Sequence, residues 1–341
     1  MSEICTPKTF RFTEDDRLRL LAELGKVNVS PYADFAAFDA EIDSLSRWGS
    51  LPDGLYDIVE GMKADRAEDR HAHYLVNCPI DETVPYLDHE NPVADKLLKK
   101  RTFVSEAFLQ LLMKLLDNPP LAYETRNDGH FFHDVLSQAK YTNTQTQKTD
   151  GELYYHNDRT AHPIRADYLL LLGLRCPPQN EIVTTYTHGR HVLDRLPADV
   201  RQTLSEPLFV TPFDLLSRDS NRNHMESEKH TIIEEETCLR YYDQRTIAAA
   251  DSPARAAEAV LALRAAIEAT PRVETTIENG GLFCFPNKMG LHSRQLRAIR
   301  DQEAQKERWL LKAYSFRSSA ARDRFRPDYV DRLPGLVREA A

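Results

Sequence analysis

The sequence predicts a mainly β fold with flanking helices, on three observations. Helical periodicity is concentrated before residue 121, short β-prone pieces punctuated by Gly, Pro and Asn follow to about residue 320, and one helical stretch, 252–270, interrupts them. No internal repeat or low-complexity linker divides the 341 residues. One domain is therefore expected over 1–341, with mainly helical support over 1–120, a β core over 121–320 and a polar, lid-like insertion at 212–240.

Each element has a local reason. "TEDDRLRLLAELGKV" (13–27) opens with a threonine cap and acids in the first turn, then repeats leucine at helical spacing. "PYADFAAFDAEIDSLSRWG" (31–49) continues with an apolar face, and "VADKLLKKRTFVSEAFLQLLMKLLDNPP" (93–120) reads as one periodic helix ended by a proline pair. Between them, "HAHYLVNCPID" (71–81) is a short apolar run with strand character. The later pieces 166–178, 181–189, 206–214, 230–243, 272–287 and 308–318 are β-prone and bounded by turn residues.

Composition narrows the function classes. A net charge of −9 and a pI near 5.8, without a basic stripe, argue against a nucleic-acid partner. The five cysteines are scattered and form no CxxC, so they read as reduced thiols of a cytoplasmic protein rather than a disulfide or zinc framework. No basic-then-apolar leader opens the sequence and no run of about 18 apolar residues occurs, so no membrane partner is expected.

The stretch "GELYYHNDRTAHP" (151–163) carries the first chemistry. On a strand, residues two apart share a face, so His156 and Asp158 can reach one point while Asn157 turns away. Two histidines and a carboxylate on one side of a ferrous ion leave neighbouring positions open for a cosubstrate and dioxygen. Spacing alone is unspecific: with 12 His and 53 acids, chance supplies about two H-x-acid matches, and there are two. The other, His224–Met225–Glu226, lies in the polar run "SRDSNRNHMESEKH" and reads as a solvated loop, whereas His156 and Asp158 border an apolar strand. Downstream, "GGLFCFPNKMGLHSRQ" supplies an apolar strand, a turn and His292. A charged loop follows, and Arg308 opens another apolar strand sixteen positions after His292. The planar fork of an arginine can grip a carboxylate through two hydrogen bonds. His162, followed by Pro163, reads as a packing residue, His188 and His191 as loop residues, and one of His130 and His133 as a pocket candidate.

Taken together, "NTQTQKTDGELYYHNDRTAHPIRADYLLLLGLR" and "GGLFCFPNKMGLHSRQ…ERWLLKAYSF" resemble the clavaminate synthase-like branch of the ferrous iron and 2-oxoglutarate dependent oxygenases, relatives of TauD and TfdA. That group includes asparagine, arginine and lysine hydroxylases. Weaker matches in "HAHYLVNCPIDETVP", "LAYETRNDGHFFHDV" and "LRYYD" extend the resemblance over about residues 55–316. It implies a double-stranded β-helix core, a jelly-roll of the cupin-like kind. It also implies Fe(II), 2-oxoglutarate and O2 as cofactor and cosubstrates, with decarboxylation to succinate coupled to hydroxylation of an unactivated carbon. The resemblance makes His156, Asp158 and His292 the iron ligands and Arg308 the partner of the cosubstrate's distal carboxylate. Thr184, or Thr185 by strand alternation, is implied beside that carboxylate. Glu124 is implied at the substrate α-amino group and Asp243 at its side chain.

Two departures bear on the substrate. Asp158 stands where many relatives carry Glu, one methylene longer, and a carboxylate here speaks against halogenation. Lys312 stands where hydroxylases of free amino acids often hold the substrate α-carboxylate with Arg, so the charge is kept and the bidentate fork is lost. With Glu124 and Asp243 in the pocket, a free basic amino acid (lysine, ornithine or arginine) is the expected substrate. The alternatives are another amine-bearing metabolite, a carrier-bound amino acid, or a non-enzymatic jelly-roll binding protein.

Overall fold

A computed structural model of the chain describes residues 4–68, 70–215, 218 and 225–338. The N-terminal helices begin at their caps. Thr13 Oγ1 accepts from Asp16 N at 3.1 Å while the Asp16 carboxylate accepts from Thr13 N at 3.0 Å, which opens α1 (Glu14–Leu24). Asp34 caps α2 (Phe35–Trp48), and α3 (Asp53–Ala67), which periodicity did not single out, follows Pro52. The single helix expected over 93–120 is two helices, α4 (Pro92–Lys99) and α5 (Val104–Leu115). The break at Lys100 buries its ammonium 2.6 Å from Asp81 and 3.0 Å from Glu106. A buried charge must find partners, and that demand outweighs the local helical pattern.

Two large sheets carry most of the rest. The larger runs β15 (Leu336–Val337), β4 (Pro120–Tyr123), β14 (Trp309–Ser315), β7 (Tyr168–Arg175), β12 (Leu282–Pro286), β3 (His73–Val76), β2 (Lys8–Arg11), with β5 (Phe132–Leu136) beside β4 on β14. The smaller runs β1 (Ile4–Cys5), β11 (Arg272–Thr276), β8 (Glu181–His188), β13 (Gly290–Ala298), β6 (Leu153–His156). Strands from the first 120 residues enter both sheets, and β15 pairs with β4 from beyond residue 320. The helical support and the β core are therefore interwoven at both ends of the chain.

Period-two alternation sorts the apolar side chains. Leu170, Leu172 and Leu174 of β7 face the cluster under α1–α3 and α5, while Leu169 and Leu171 face a second cluster between the sheets. On β14, Trp309, Leu311 and Ala313 join the helical side, and Leu310 and Tyr314 the inter-sheet side. A third cluster lies among α6 (Gly189–Leu193), α7 (Ala198–Leu204) and α8 (Ala254–Ala269).

Several β-prone pieces resolve differently from expectation. Residues 206–214 contribute only β9 (Phe209–Val210), paired with β10 (Ile247–Ala248), and 230–243 makes isolated bridges such as His156 with Tyr242. The run 272–287 turns at Gly280, whose φ of +69° needs glycine, and divides between the two sheets. The turn expected before His292 is 287–289, but the chain after His292 continues as the nine-residue β13 (Gly290–Ala298) rather than entering a loop at once, and His188 and His191 belong to the cap and body of α6. Part of the expected 212–240 insertion, and His224 with it, lies outside the described residues. Among the described residues no helix is long and apolar enough to cross a membrane.

The Asp81–Lys100–Glu106 cluster gives a stability test. Asp81 also accepts from Ser105 Oγ and Val104 N, so Asp81→Ala leaves a buried ammonium short of a partner and the start of α5 unsatisfied. Loss of about 3–5 kcal/mol is expected, read as a lowered urea midpoint. An unchanged midpoint would show that the cluster is replaceable.

Candidate active site

β6 pairs antiparallel with β13 so that His156 sits directly opposite His292. Their imidazole centroids are 4.2 Å apart, and both rings are buried. β6 ends at His156, so Asp158 lies in the turn that follows, not on the strand as alternation supposed. Side chains hold that turn in place. Asn157 Nδ2 donates to the carbonyls of Asn287 and Gly290, and its Oδ1 accepts from Tyr241 N. Asn287 Oδ1 accepts from Asp158 N at 2.7 Å, and its Nδ2 donates to Asp158 O and Ala166 O. At Gly290 a Cβ would meet Thr187 O at 2.4 Å, so only glycine lets β13 start this close to β8.

The result is a convergent set of three ligand atoms within 4.8 Å of one another. Asp158 Oδ1 lies 3.2 Å from His156 Nε2 and 3.6 Å from His292 Nε2. Adjacent ligands on one ion, with bonds of about 2.1 Å, stand ~3 Å apart, so the set fits a single metal. His156 Nδ1 donates to Tyr154 O at 2.7 Å, which leaves Nε2 as the bare nitrogen facing Asp158. Burial, then the neighbouring His156, lowers His292 to about 4, so its ring is neutral at pH 7. Burial alone would raise Asp158, but the Lys312 ammonium outweighs it and holds its carboxyl well below the usual range. Asp158 Oδ2 accepts from Lys312 Nζ at 2.5 Å and from Tyr314 Oη at 2.8 Å.

The triad opens on a cavity of about 1240 Å³, counting its mouth, between the two sheets. Six of the eight expected site residues border it: His156, Asp158, His292, Arg308, Thr184 and Lys312. Arg308 is buried just before β14 and its Nη2 has no hydrogen-bond partner among the described residues. Of the two threonines, Thr184 borders the cavity, whereas Thr185 is bonded to Ser293 Oγ at 2.7 Å. Lys312 is engaged with Asp158 and with Gln147 Oε1.

The two expected substrate acids are elsewhere. The Glu124 side chain is exposed, and the residue follows β4 outside the cavity lining. Asp243 Oδ1 accepts from Arg264 Nε at 2.8 Å and Tyr241 Oη at 2.9 Å, which ties it to α8. Sequence spacing could not reveal that neither residue borders the triad's cavity, although Asp243 borders a smaller pocket that shares Gln145, Pro212 and Arg245 with it. The cavity instead presents Arg126, Arg159, Arg245 and Arg294, none of them singled out from the sequence. Arg294 was recoverable, because it lies two residues after His292 on the same strand face. Tyr314 was too, two after Lys312 on β14. Of the histidine pair 130 and 133, His133 faces the cavity, buried with Nε2 unpartnered. His162 borders the same space, stacked edge-on to Tyr123, but stands outside the metal cluster.

A two-histidine, one-carboxylate set between the sheets of a mainly β fold defines the class of this protein. The chain belongs to the taurine catabolism dioxygenase TauD, TfdA family, which matches residues 101–314. It is 25% identical over 240 residues to enduracididine beta-hydroxylase of Streptomyces hygroscopicus, covering 64% of this chain and 66% of that protein. It is 24% identical over 213 residues to L-lysine 3-hydroxylase of Catenulispora acidiphila, covering 60% and 58%. The match thus spans about two thirds or less of these relatives' length. Asparagine oxygenase in complex with Fe(II), 2S,3S-3-hydroxyasparagine and succinate shares the fold at TM-score 0.79, 20% identity, over 97% of this chain and 99% of that one. Non-heme iron oxygenase OrfP in complex with Fe and L-Arg shares it at 0.74, 19%, 96% and 99%.

The triad predicts a metal-binding phenotype. Asp158→Ala removes one ligand and leaves the Lys312 ammonium facing the ion, so iron retained after gel filtration should fall from stoichiometric to near zero with the fold intact by circular dichroism. Glu226→Ala, outside the cavity lining, should retain iron like the parent.

Proposed function

We propose that the chain is an Fe(II)- and 2-oxoglutarate-dependent dioxygenase that hydroxylates an unactivated carbon of a small, amino-acid-sized substrate. The observation that carries the reading is the His156–Asp158–His292 triad sharing one cavity with the buried, unpartnered Arg308 Nη2. The facing sheets with the triad between them are read as a double-stranded β-helix, and the interwoven strands as a single domain. The names of the two hydroxylase relatives support a substrate of the amino-acid class. The five free thiols suit a reducing, cytoplasmic setting.

The residues divide the labour. His156, Asp158 and His292 would hold iron. The bound metal and cosubstrate supply the oxidising chemistry that the side chains lack. Lys312 and Tyr314 fix the Asp158 carboxylate so that Oδ1 faces the histidines, and Asn157 and Asn287 fix the backbone beneath it. Arg308 takes the distal carboxylate of 2-oxoglutarate, with Thr184 beside it on the opposite sheet. Burial lowers the Arg308 pKa, and an anion there relieves the cost of an isolated buried cation.

The first test is a mass-spectrometric screen of amino acids with iron, ascorbate and 2-oxoglutarate, in which a substrate gains one oxygen and succinate forms in step. Succinate that never responds to any added small molecule would favour a binding protein instead. Arg308→Ala should weaken 2-oxoglutarate by over a hundredfold, from about 3–5 kcal/mol for one lost member of a buried pair. Its readout is the cosubstrate concentration at half-maximal succinate formation.

A further inference from the structure

The register of the smaller sheet puts a second arginine beside the residues read as the cosubstrate's. On β13, Arg294 is the direct partner of Thr184 on β8. Directly opposite residues of an antiparallel pair project to the same face, with Cβ atoms about 5 Å apart. His292 lies two residues earlier on that face of β13, and all three side chains border the cavity. Arg308 reaches the same place from the larger sheet, just before β14, and its charge acts on Arg294. A recess of about 260 Å³, counting its mouth, is lined by both arginines together with Thr149, Asp150 and Gln305.

The two guanidiniums are engaged differently. Arg308 Nη2 is buried without a partner among the described residues. Arg294 Nε donates to Gly151 O at 2.9 Å, and its Nη2 donates to Gly151 O at 2.6 Å and to Thr149 O at 2.7 Å. Those bonds use one edge of the planar fork and tie down the turn that leads into β6. Nη1 takes no part in them, and the side chain is only partly buried where it borders the cavity, so the other edge of the fork stays available. Neutral carbonyls orient a cation without neutralising it. The walls nearby are apolar: Leu153 stands opposite Arg294 on β6, and Leu310 follows Arg308 by two residues. A short chain of methylenes ending in a carboxylate suits that combination.

Resting on the oxygenase reading above, we propose that the distal carboxylate of 2-oxoglutarate is held by two arginines, Arg308 from the larger sheet and Arg294 from the smaller, with Thr184 beside Arg294. Its two oxygens offer about four acceptor positions, enough for both forks and a hydroxyl. An anion between them also offsets the repulsion of neighbouring like charges in a poorly solvated place. Arg294 thereby becomes a specificity residue for the cosubstrate, joining the carboxylate to the turn that carries β6 and His156.

The test is calorimetric titration of the full chain, loaded with Fe(II) in the absence of oxygen, with 2-oxoglutarate and with 2-oxopentanoate. The second ligand keeps the keto acid that chelates iron and ends in a methyl group instead of the distal carboxylate. Arg294→Gln is expected to weaken 2-oxoglutarate by about tenfold or more and to leave 2-oxopentanoate within about twofold of the parent. Arg294→Lys keeps the charge but not the fork that holds the turn, and is expected to bind 2-oxoglutarate within about threefold of the parent. A residue that only tethers the turn would affect both ligands together and would make the Gln and Lys variants fail alike. Either result overturns the proposal, as does an Arg294→Gln chain that binds 2-oxoglutarate like the parent. The Gln and Lys comparison decides even where 2-oxopentanoate binds too weakly to titrate. If the parent binds no 2-oxoglutarate, the oxygenase reading falls and takes this one with it. If Arg308→Ala loses the cosubstrate and Arg294→Gln does not, only the second arginine is lost.

Discussion

The pairing of β6 with β13, which sets His156 opposite His292, is the contact on which the site depends. A strand pair fixes two ligands, but the third comes from a turn, and turns need restraint. That restraint comes from two asparagines. Asn157 and Asn287 spend nearly all their polar atoms on backbone groups of β13, the Tyr241 segment and each other's loops. A metal site so held is assembled before any ion arrives, because each ligand's position is set by hydrogen bonds that do not involve the metal. Both asparagines are fully buried, so their bonds compete with no solvent.

The second constraint is electrostatic. Burying several cations in one cavity is costly unless anions answer them. Lys312 is answered from within, by Asp158, and the same ion pair orients the metal ligand. Among the described residues Arg308 Nη2 has no partner, while Arg294 is met by the carbonyls of Thr149 and Gly151 and by the charge of Asp150. The fold evidently supports this cost through the rest of its core. Sheet alternation places one face of β7 and β14 under the N-terminal helices and the other toward the cavity. Those helices, anchored by the Asp81–Lys100–Glu106 cluster, therefore back the strand that carries Lys312 and Tyr314 without touching the chemistry. Comparable division of labour is usual where a strained or charged site is set on a well-packed scaffold.

Much of this was legible in the sequence. Caps and leucine spacing placed α1, α2 and α8, and β-prone runs placed β7, β8, β12 and β14. The metal triad and Arg308 could be picked out because each is a chemically distinctive residue beside an apolar strand. The break between α4 and α5 could not, because it answers a carboxylate at Asp81 that is distant along the chain. Glu124 and Asp243, implied at the substrate, lie outside the lining of the triad's cavity for a related reason. Glu124 and Asp243 have the right charge for an ammonium, but direction and partners, not charge, decide whether a side chain serves a pocket.

By itself, then, the sequence determined the mainly β class with its helical flank, the ligand types and the strand that presents His156, since these follow from local periodicity and residue chemistry. Only the tertiary structure decided that Asp158 is offered from a turn clamped by Asn157 and Asn287, that Lys312 turns to Asp158, and that Arg126, Arg159, Arg245 and Arg294 border the same cavity. Those outcomes depend on which side chains meet across two sheets, and a potential summed over residues from 126 to 312 is a property of their arrangement in space, not of any local stretch.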